Sequence, residues 1–218
     1  MKIQLIIQCI DTFGFKPPAD KLYFFADGLP LEAVYKDNGF YVITKGLPDK
    51  FNLSINSTVY YSCEYCIKTK PDKNFVTVDL IRKNPPNNEQ AIWIDTKGFS
   101  KAVLGYGYFF LAGSIKSTDT VISVENPFRF CLEGRKFLIR ETQLMTEEFI
   151  TIEKAENKFM TLYDLKGLKN SYDSETSIML PAFDLNGCEK IPVKKPVMLP
   201  VMIWLYDKYG GSKKIEIK

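Results

Sequence analysis

Short runs in which apolar and polar residues alternate dominate the first third of the chain. Phe51, Leu53 and Ile55 alternate with polar residues, and the run follows a turn signal at Asp37-Asn38-Gly39 and the strand formers after it. A period of two is typical of strands that bury one face, and the turn residues separate such strands. The predicted strands here are, in chain order, 3–10, 22–26, 31–35, 40–43, 51–55, 60–67 and 75–81. Short strands with regular turns predict a β-sandwich.

A polar segment with two prolines interrupts this pattern. Pro85 and Pro86 disfavour the continuation of a strand ladder, and Asn and Glu residues flank them. We therefore predict an all-β protein with a first domain at 1–83, a short linker at 84–90 and a second, larger β domain at 91–218. The strands predicted in the second domain are 91–95, 104–113, 120–124, 128–132, 136–140, 149–152, 158–163, 177–180, and a C-terminal hairpin of 201–206 with 214–218.

The first domain carries a motif that resembles a known family. The residues are Asn38-Gly39-Phe40-Tyr41-Val42, then Gly46-Leu47-Pro48, then Phe51-Asn52-Leu53-Ser54-Ile55, and finally Tyr60. This rhythm of aromatic slots around a Leu-Pro turn resembles the carboxypeptidase regulatory-like (transthyretin-like) β-sandwich domain, although Asp49-Lys50 stand where the family usually has a glycine. The resemblance implies an Ig/transthyretin-like scaffold without an active site, and so it implies no catalytic residues.

The absence of histidine is the most informative feature of the composition. The chain has 218 residues and no His, which removes the commonest general base, metal ligand and partner of a nucleophile. The net charge of +3 is too small to indicate a nucleic-acid-binding face. We therefore expect a protein that is not an enzyme, with no cofactor, no metal site and no nucleic-acid partner.

No stretch of the sequence predicts export or a membrane span. Gln4 and Gln8 interrupt the apolar residues that follow Met1-Lys2, so a first strand is favoured over a signal peptide. No apolar run approaches the ~20 residues that span a bilayer. We expect synthesis in a cytoplasm, no membrane partner, and reduced thiols at the five cysteines.

The pair Cys63 and Cys66 has the spacing of a zinc half-site or a redox pair. A zinc site needs further ligands nearby, and a redox pair should open a helix. Here the pair lies in a predicted strand, where residues three apart point to opposite faces. The sequence therefore predicts two ordinary strand cysteines.

Aromatic residues supply the candidates for binding a partner. Tyr106, Tyr108 and Phe110 share one face of a predicted strand, and Trp93 and Trp204 are the two tryptophans. Apolar residues load both faces of 104–113, which favours a buried strand over an exposed patch. The glycines between these aromatics indicate a bulge or a close backbone neighbour. An exposed patch would bind a protein or stack on a sugar.

Two functional interpretations remain alongside a weaker third. We expect a structural or adaptor protein that binds other subunits of an assembly. The order of a sandwich and a second β domain resembles accessory proteins of phage tails and contractile injection particles, which would place the protein in an assembled particle. The alternative is a carbohydrate- or ligand-binding module. A hydrolase that uses Glu147, Glu148 and Asp184 is the third interpretation.

Overall fold

The computed structural model shows an all-β protein, as the sequence predicts. It describes residues 3–69, 74–87, 89–105, 109–125, 134–144, 146–156, 161–165, 168–195 and 200–217. Strands dominate these ranges, and the helical element among them is one short 3₁₀ turn at Asp37–Gly39.

The described strands run throughout the chain. In order they are β1 (Leu5–Asp11), β2 (Tyr23–Ala26), β3 (Leu29–Leu31), β4 (Val34–Tyr35), β5 (Phe40–Ile43), β6 (Lys50–Asn56), β7 (Cys63–Lys68), β8 (Phe75–Leu80), β9 (Ala91–Asp95), β10 (Lys101–Leu104), β11 (Phe109–Leu111), β12 (Val121–Glu125), β13 (Lys136–Glu141), β14 (Glu147–Glu156), β15 (Thr161–Leu165), β16 (Ser177–Asp184), β17 (Lys190–Lys194), β18 (Val201–Tyr206) and β19 (Ser212–Ile217).

The chain divides into two compact units, at places that differ from the predicted linker. Unit 1 comprises Met1–Lys97 and Asn186–Lys195, and unit 2 comprises Gly98–Leu185 and Pro196–Lys218. The difference arises because β9 pairs antiparallel with β17, a strand far along the chain that local patterns cannot connect to it. Thus β9, predicted to open the second domain at residue 91, lies in unit 1.

Side-chain contacts tie the proline-containing segment into unit 1. The carboxylate of Glu89 lies 3.2 Å from the Nζ atom of Lys16 and 3.0 Å from that of Lys194. The backbone N–H of Lys195 donates to the carbonyl of Gln90 at 2.9 Å. Glu89 and Gln90, at the end of the predicted linker, are therefore bonded to other parts of unit 1.

Unit 1 contains two four-stranded sheets with a shared apolar core. One sheet has the order β4-β5-β1-β8, with β1 and β8 parallel, and the other has the order β3-β2-β6-β7. The inward residues of both sheets form a single cluster, in which Leu5, Ile43, Leu53 and Val78 have no exposed surface. The apolar residues of the alternating sequence pattern point into this core, and the polar residues between them lie on the outer faces of the sheets.

A buried polar network closes one end of this core. The Oδ2 atom of Asp11 lies 2.5 Å from Nη2 of Arg82 and accepts from its Nε at 2.7 Å. The hydroxyl of Tyr60 donates to the same oxygen at 3.1 Å, and the backbone N–H of Phe13 donates to Oδ1 at 3.0 Å. Three distant chain segments are therefore joined through one carboxylate.

Unit 2 is built on a closed ring of six antiparallel strands. The order β11-β12-β15-β14-β13-β16 closes because β11 also pairs with β16. Buried residues of β11, β12, β13, β14 and β16 form the core of unit 2, in which Phe137, Ile139, Ile152 and Met179 have no exposed surface. Closure satisfies the backbone groups that an open sheet leaves at its edges.

The sheet of unit 2 also extends beyond the ring. The second half of β16 pairs with β10, which pairs with β18, and β18 pairs with β19. The predicted C-terminal hairpin is thereby confirmed as β18 and β19. Between β10 and β11, Gly105 donates its N–H to the carbonyl of Met202 at 2.7 Å, and a Cβ at Gly105 would lie 2.6 Å from that oxygen. The predicted close approach of a neighbouring backbone is confirmed at this glycine.

Candidate interaction surface

One face of the unit 2 sheet gathers aromatic and charged side chains from strands on both sides of β16. Directly paired residues of neighbouring strands project to the same face. One row across the sheet contains Phe110, Ile178, Arg140 and Glu147. A second row contains Leu180, Leu138 and Phe149. A third row contains Ala182, Val103 and Trp204. We call the set of Phe110, Arg140, Glu147, Phe149, Ile178, Trp204 and Tyr206 the aromatic face.

The apolar part of the aromatic face is a small core with an exposed rim. Leu138, Leu180 and Val103 are almost fully buried, and Ile178 and Trp204 pack against them while half-buried. Phe110 is 48% exposed and Phe149 is 37% exposed. The rim therefore exposes large apolar side chains beside a packed, rigid base.

A polar clamp fixes the geometry of this face. Glu147 lies 2.9 Å from Nη1 of Arg140 through Oε2 and accepts the hydroxyl of Tyr206 at 2.9 Å through Oε1. The guanidinium of Arg140 stacks over the ring of Trp204, with 5.1 Å from Cζ to the ring centroid. The clamp joins β14, β13 and β18, and it holds Trp204 in one orientation.

The burial of the clamp alters the acidity of the tyrosine. Desolvation raises the pKa of Tyr206 well above its usual value, and the negative charge of Glu147 raises it further. The phenol therefore stays a hydrogen-bond donor throughout the physiological range. The ring of Tyr206 also packs edge-on against the ring of Phe149, with 4.9 Å between centroids. The Nζ atom of Lys101 lies 4.9 Å from the centroid of the Phe149 ring.

The predicted aromatic candidates fall in different places. Phe110 and Trp204 lie on the aromatic face of unit 2, whereas Trp93 lies on β9 in unit 1, where it is 45% exposed opposite Pro192. Tyr106 and Tyr108 lie outside the described residues. The preference for a buried strand is wrong at Phe110, because Leu111 points into the ring and Phe110 points outward.

The carboxylates considered for hydrolysis each have a structural partner. Glu147 belongs to the clamp, and Asp184 lies 2.6 Å from Nζ of Lys136. Glu148 accepts the backbone N–H groups of Lys169 and Asn170 at 2.9–3.1 Å and so anchors that loop. Carboxylates engaged in this way are poorly placed to exchange protons with a substrate.

The two cysteines of the spaced pair lie on opposite faces of β7, as the sequence predicts. Cys63 is 5% exposed in the core of unit 1, and Cys66 is exposed. Burial raises the pKa of the Cys63 thiol to about 12, which leaves it unreactive. Among the described residues there is no group of three or more Cys, Asp or Glu side chains that could hold a metal ion.

Four members of this surface were missed by sequence reasoning: Arg140, Phe149, Ile178 and Tyr206. An arginine inside the apolar run of β13 was the available signal, since a charge in a buried strand requires a partner.

The described part of the chain contains no helix that is long and apolar enough to cross a membrane. No family model and no curated protein matches this sequence.

Proposed function

We propose that this protein is a non-catalytic structural or adaptor subunit of a multi-protein assembly, and that the aromatic face of unit 2 binds a partner protein. The observation that carries the proposal is the exposed ring of Phe110, which is paired with Ile178 on the same sheet face as the clamped Trp204. Tryptophan, tyrosine and arginine dominate the energetics of protein interfaces when a rigid frame holds them.

The clamp supports this role because it reduces the cost of binding. The Arg140–Glu147–Tyr206 contacts already fix the side chains that a partner would otherwise have to order. Preorganised aromatic anchors lose little entropy on association. We extend the proposal to a particle of the phage-tail or contractile-injection type, for which the two-unit all-β architecture and the carboxypeptidase regulatory-like motif around Phe40 and Phe51 are the support.

Site-specific photo-cross-linking tests the proposed surface. A photoreactive phenylalanine analogue replaces Phe110 in one preparation and Tyr209 in another, because Tyr209 is 85% exposed on the hairpin between β18 and β19 of the same unit. We expect a discrete protein adduct from position 110 and none from position 209. Equal labelling from both positions, or no protein adduct at 110, would contradict the proposal.

A matched pair of substitutions measures the strength of the contact once the adduct is identified. Phe110→Ser removes the exposed ring, and Tyr209→Ser serves as the control. A central aromatic anchor contributes about 2 kcal/mol or more, so we expect at least ~30-fold weaker binding for the first variant only. Tyr206→Phe tests the clamp, because it removes the hydroxyl bonded to Glu147 and keeps the ring.

Carbohydrate binding is the alternative, and the exposure of Trp93 favours it. That ring is 45% exposed on β9 beside Pro192, so a sugar could stack on it. Trp204 suits this role less well, since Arg140 covers one face of its ring. Tryptophan fluorescence during titration with an oligosaccharide panel, repeated with Trp93→Phe, separates the two functions: saturable quenching lost in the variant would favour the glycan.

A further inference from the structure

In the ranges that the structure describes, no strand pairs with the outer side of β7, so that side is an open sheet edge. β7 pairs with β6, in a register that runs from Lys50↔Lys68 to Ile55↔Cys63. One step along the same register, the N–H of Thr69 donates to the carbonyl of Asp49 at 2.8 Å, so this residue directs its N–H toward the β6 side. Alternate residues of a strand direct their backbone groups to opposite sides. Glu64, Cys66 and Lys68 therefore direct theirs away from β6.

The hydrogen bonds on the other side of β6 confirm which residues of β7 direct their backbone groups outward. Asn52, the partner of Cys66, accepts from the N–H of Asp27 at 3.0 Å and donates its own N–H to the carboxylate of Asp27 at 2.9 Å. The backbone of Asn52 is thus directed toward β2, and not toward β7. The backbone groups of Cys66 consequently lie on the open edge.

The side chains above this edge are exposed and carry opposite charges. Glu64, Cys66 and Lys68 are all exposed, whereas Cys63 and Ile67, which project to the other face of β7, pack into the core of unit 1. In the part of the chain that the structure describes, these three exposed side chains make no hydrogen bond and no ion pair. The edge thus offers three N–H and three C=O groups together with an acidic, a neutral and a basic side chain.

We propose that β7 pairs with β7 of a second copy of this chain, antiparallel about a two-fold axis at Cys66. An antiparallel ladder pairs residues that direct their backbone groups toward each other, so residues 64, 66 and 68 must pair among themselves. Centring the pair on Cys66 places Glu64 opposite Lys68 of the second copy on both sides of the axis. Centring it on Glu64 or on Lys68 would place like charges opposite each other, which is unfavourable.

This register also uses every outward group of the strand. Three residues from each copy exchange both of their backbone hydrogen bonds, and the two four-stranded sheets become one continuous sheet across the axis. The far edge of the same sheet differs, because β3 contains Pro30, which has no N–H to donate. β7 has no proline, and in the proposed register its charges lie opposite complementary charges on β7 of the second copy.

Sedimentation velocity across a concentration series tests the pairing. The expected result is a reversible change from 25.0 kDa to twice that mass, with a dissociation constant in the micromolar to millimolar range because the interface is small. Glu64→Lys should weaken the dimer by about tenfold or more, since each charge pair occurs twice. Lys68→Glu should do the same.

Reversal of both charges is the decisive control. In the double variant Glu64→Lys/Lys68→Glu, a lysine again lies opposite a glutamate of the second copy, so dimerisation should return to near the wild-type level. Glu32→Lys, at an exposed glutamate elsewhere in unit 1, should leave the dimer unchanged. A wild-type protein that stays monomeric at ~1 mM, single reversals without effect, or a double variant that does not recover would each overturn the proposal.

A thiol-specific cross-link locates the axis. Residues that exchange hydrogen bonds across an antiparallel pair have Cα atoms about 5.5 Å apart, so a short bismaleimide can join Cys66 to Cys66 of the second copy. The experiment uses Cys131→Ser, which removes a thiol outside the described residues. A covalent dimer should form in this variant and be absent when Cys66→Ser is added. A dimer that persists without Cys66 would refute the axis.

Discussion

Removal of Arg82 provides a direct test of the buried network that closes unit 1. Arg82 is 6% exposed and Asp11 has no exposed surface. The substitution Arg82→Met keeps the length and apolar stem of the side chain but removes both N–H groups that reach Asp11. Among the residues that the structure describes, the donors left to the carboxylate are then the Tyr60 hydroxyl and the Phe13 N–H. Its charge would be buried without a counter-ion.

The expected cost is large compared with the stability of an ordinary domain. Breaking a buried ion pair by removing one partner costs about 3–5 kcal/mol, because the remaining charge is desolvated without compensation. Domains are stable by only about 5–15 kcal/mol. In a unit of roughly 100 residues, this loss corresponds to a fall in melting temperature of about 12–25 °C.

Urea unfolding followed by the fluorescence of one tryptophan measures this cost. Trp93 lies in unit 1 and Trp204 in unit 2, so a Trp204→Phe background reports on unit 1. The double variant Asp11→Asn/Arg82→Met removes both charges and keeps an acceptor, and it should recover at least half of the lost stability. A single-variant loss below ~1 kcal/mol, or a double variant no more stable than the single one, would refute the role assigned to the ion pair.

Two other predictions concern Glu89 and the thiols of β7. Lys194 and, to a lesser degree, Lys16 lower the pKa of Glu89 from its ordinary 4.5. The ionised Glu89 therefore stabilises the fold at pH values above 4.5, and this stabilisation is lost as the pH falls through the lowered pKa. Glu89→Gln should cost less than about 1 kcal/mol at pH 7 and should reduce the loss of stability on acidification. Urea unfolding at a series of pH values measures both effects. In native Cys131→Ser protein, a thiol reagent should modify Cys66 rapidly and Cys63 only after unfolding, and equal rates would contradict their placement.

Local pattern was sufficient to predict strands such as β6, because alternation and turn residues are local signals, but it did not predict β17. The run at Phe51, Leu53 and Ile55 predicts β6 and its buried face, and all three residues are buried. The C-terminal hairpin was equally accessible, since two apolar runs flank Gly210-Gly211. Both features depend only on residues that are close together in the sequence.

Pairings between distant strands could not be predicted in this way. β9 belongs to unit 1 because β17 pairs with it, and nothing near Trp93 in the sequence indicates Pro192 as its neighbour. The exposure of Phe110 has a similar origin. The face on which a strand is buried depends on whether its sheet closes, and the pairing of β11 with β16 closes it. A strand with apolar residues on both sides leaves that choice open.

The pair Cys63 and Cys66 shows how secondary structure determines the chemistry of a motif. At the start of a helix, a spacing of three would bring the two thiols together and lower the pKa of one of them. In β7 the same spacing sends one thiol into the core, where burial raises its pKa, and leaves the other above an open edge. Because Cys66 also directs its backbone outward, the residue that cannot act as half of a redox pair is the one that can lie on the two-fold axis of a strand pairing.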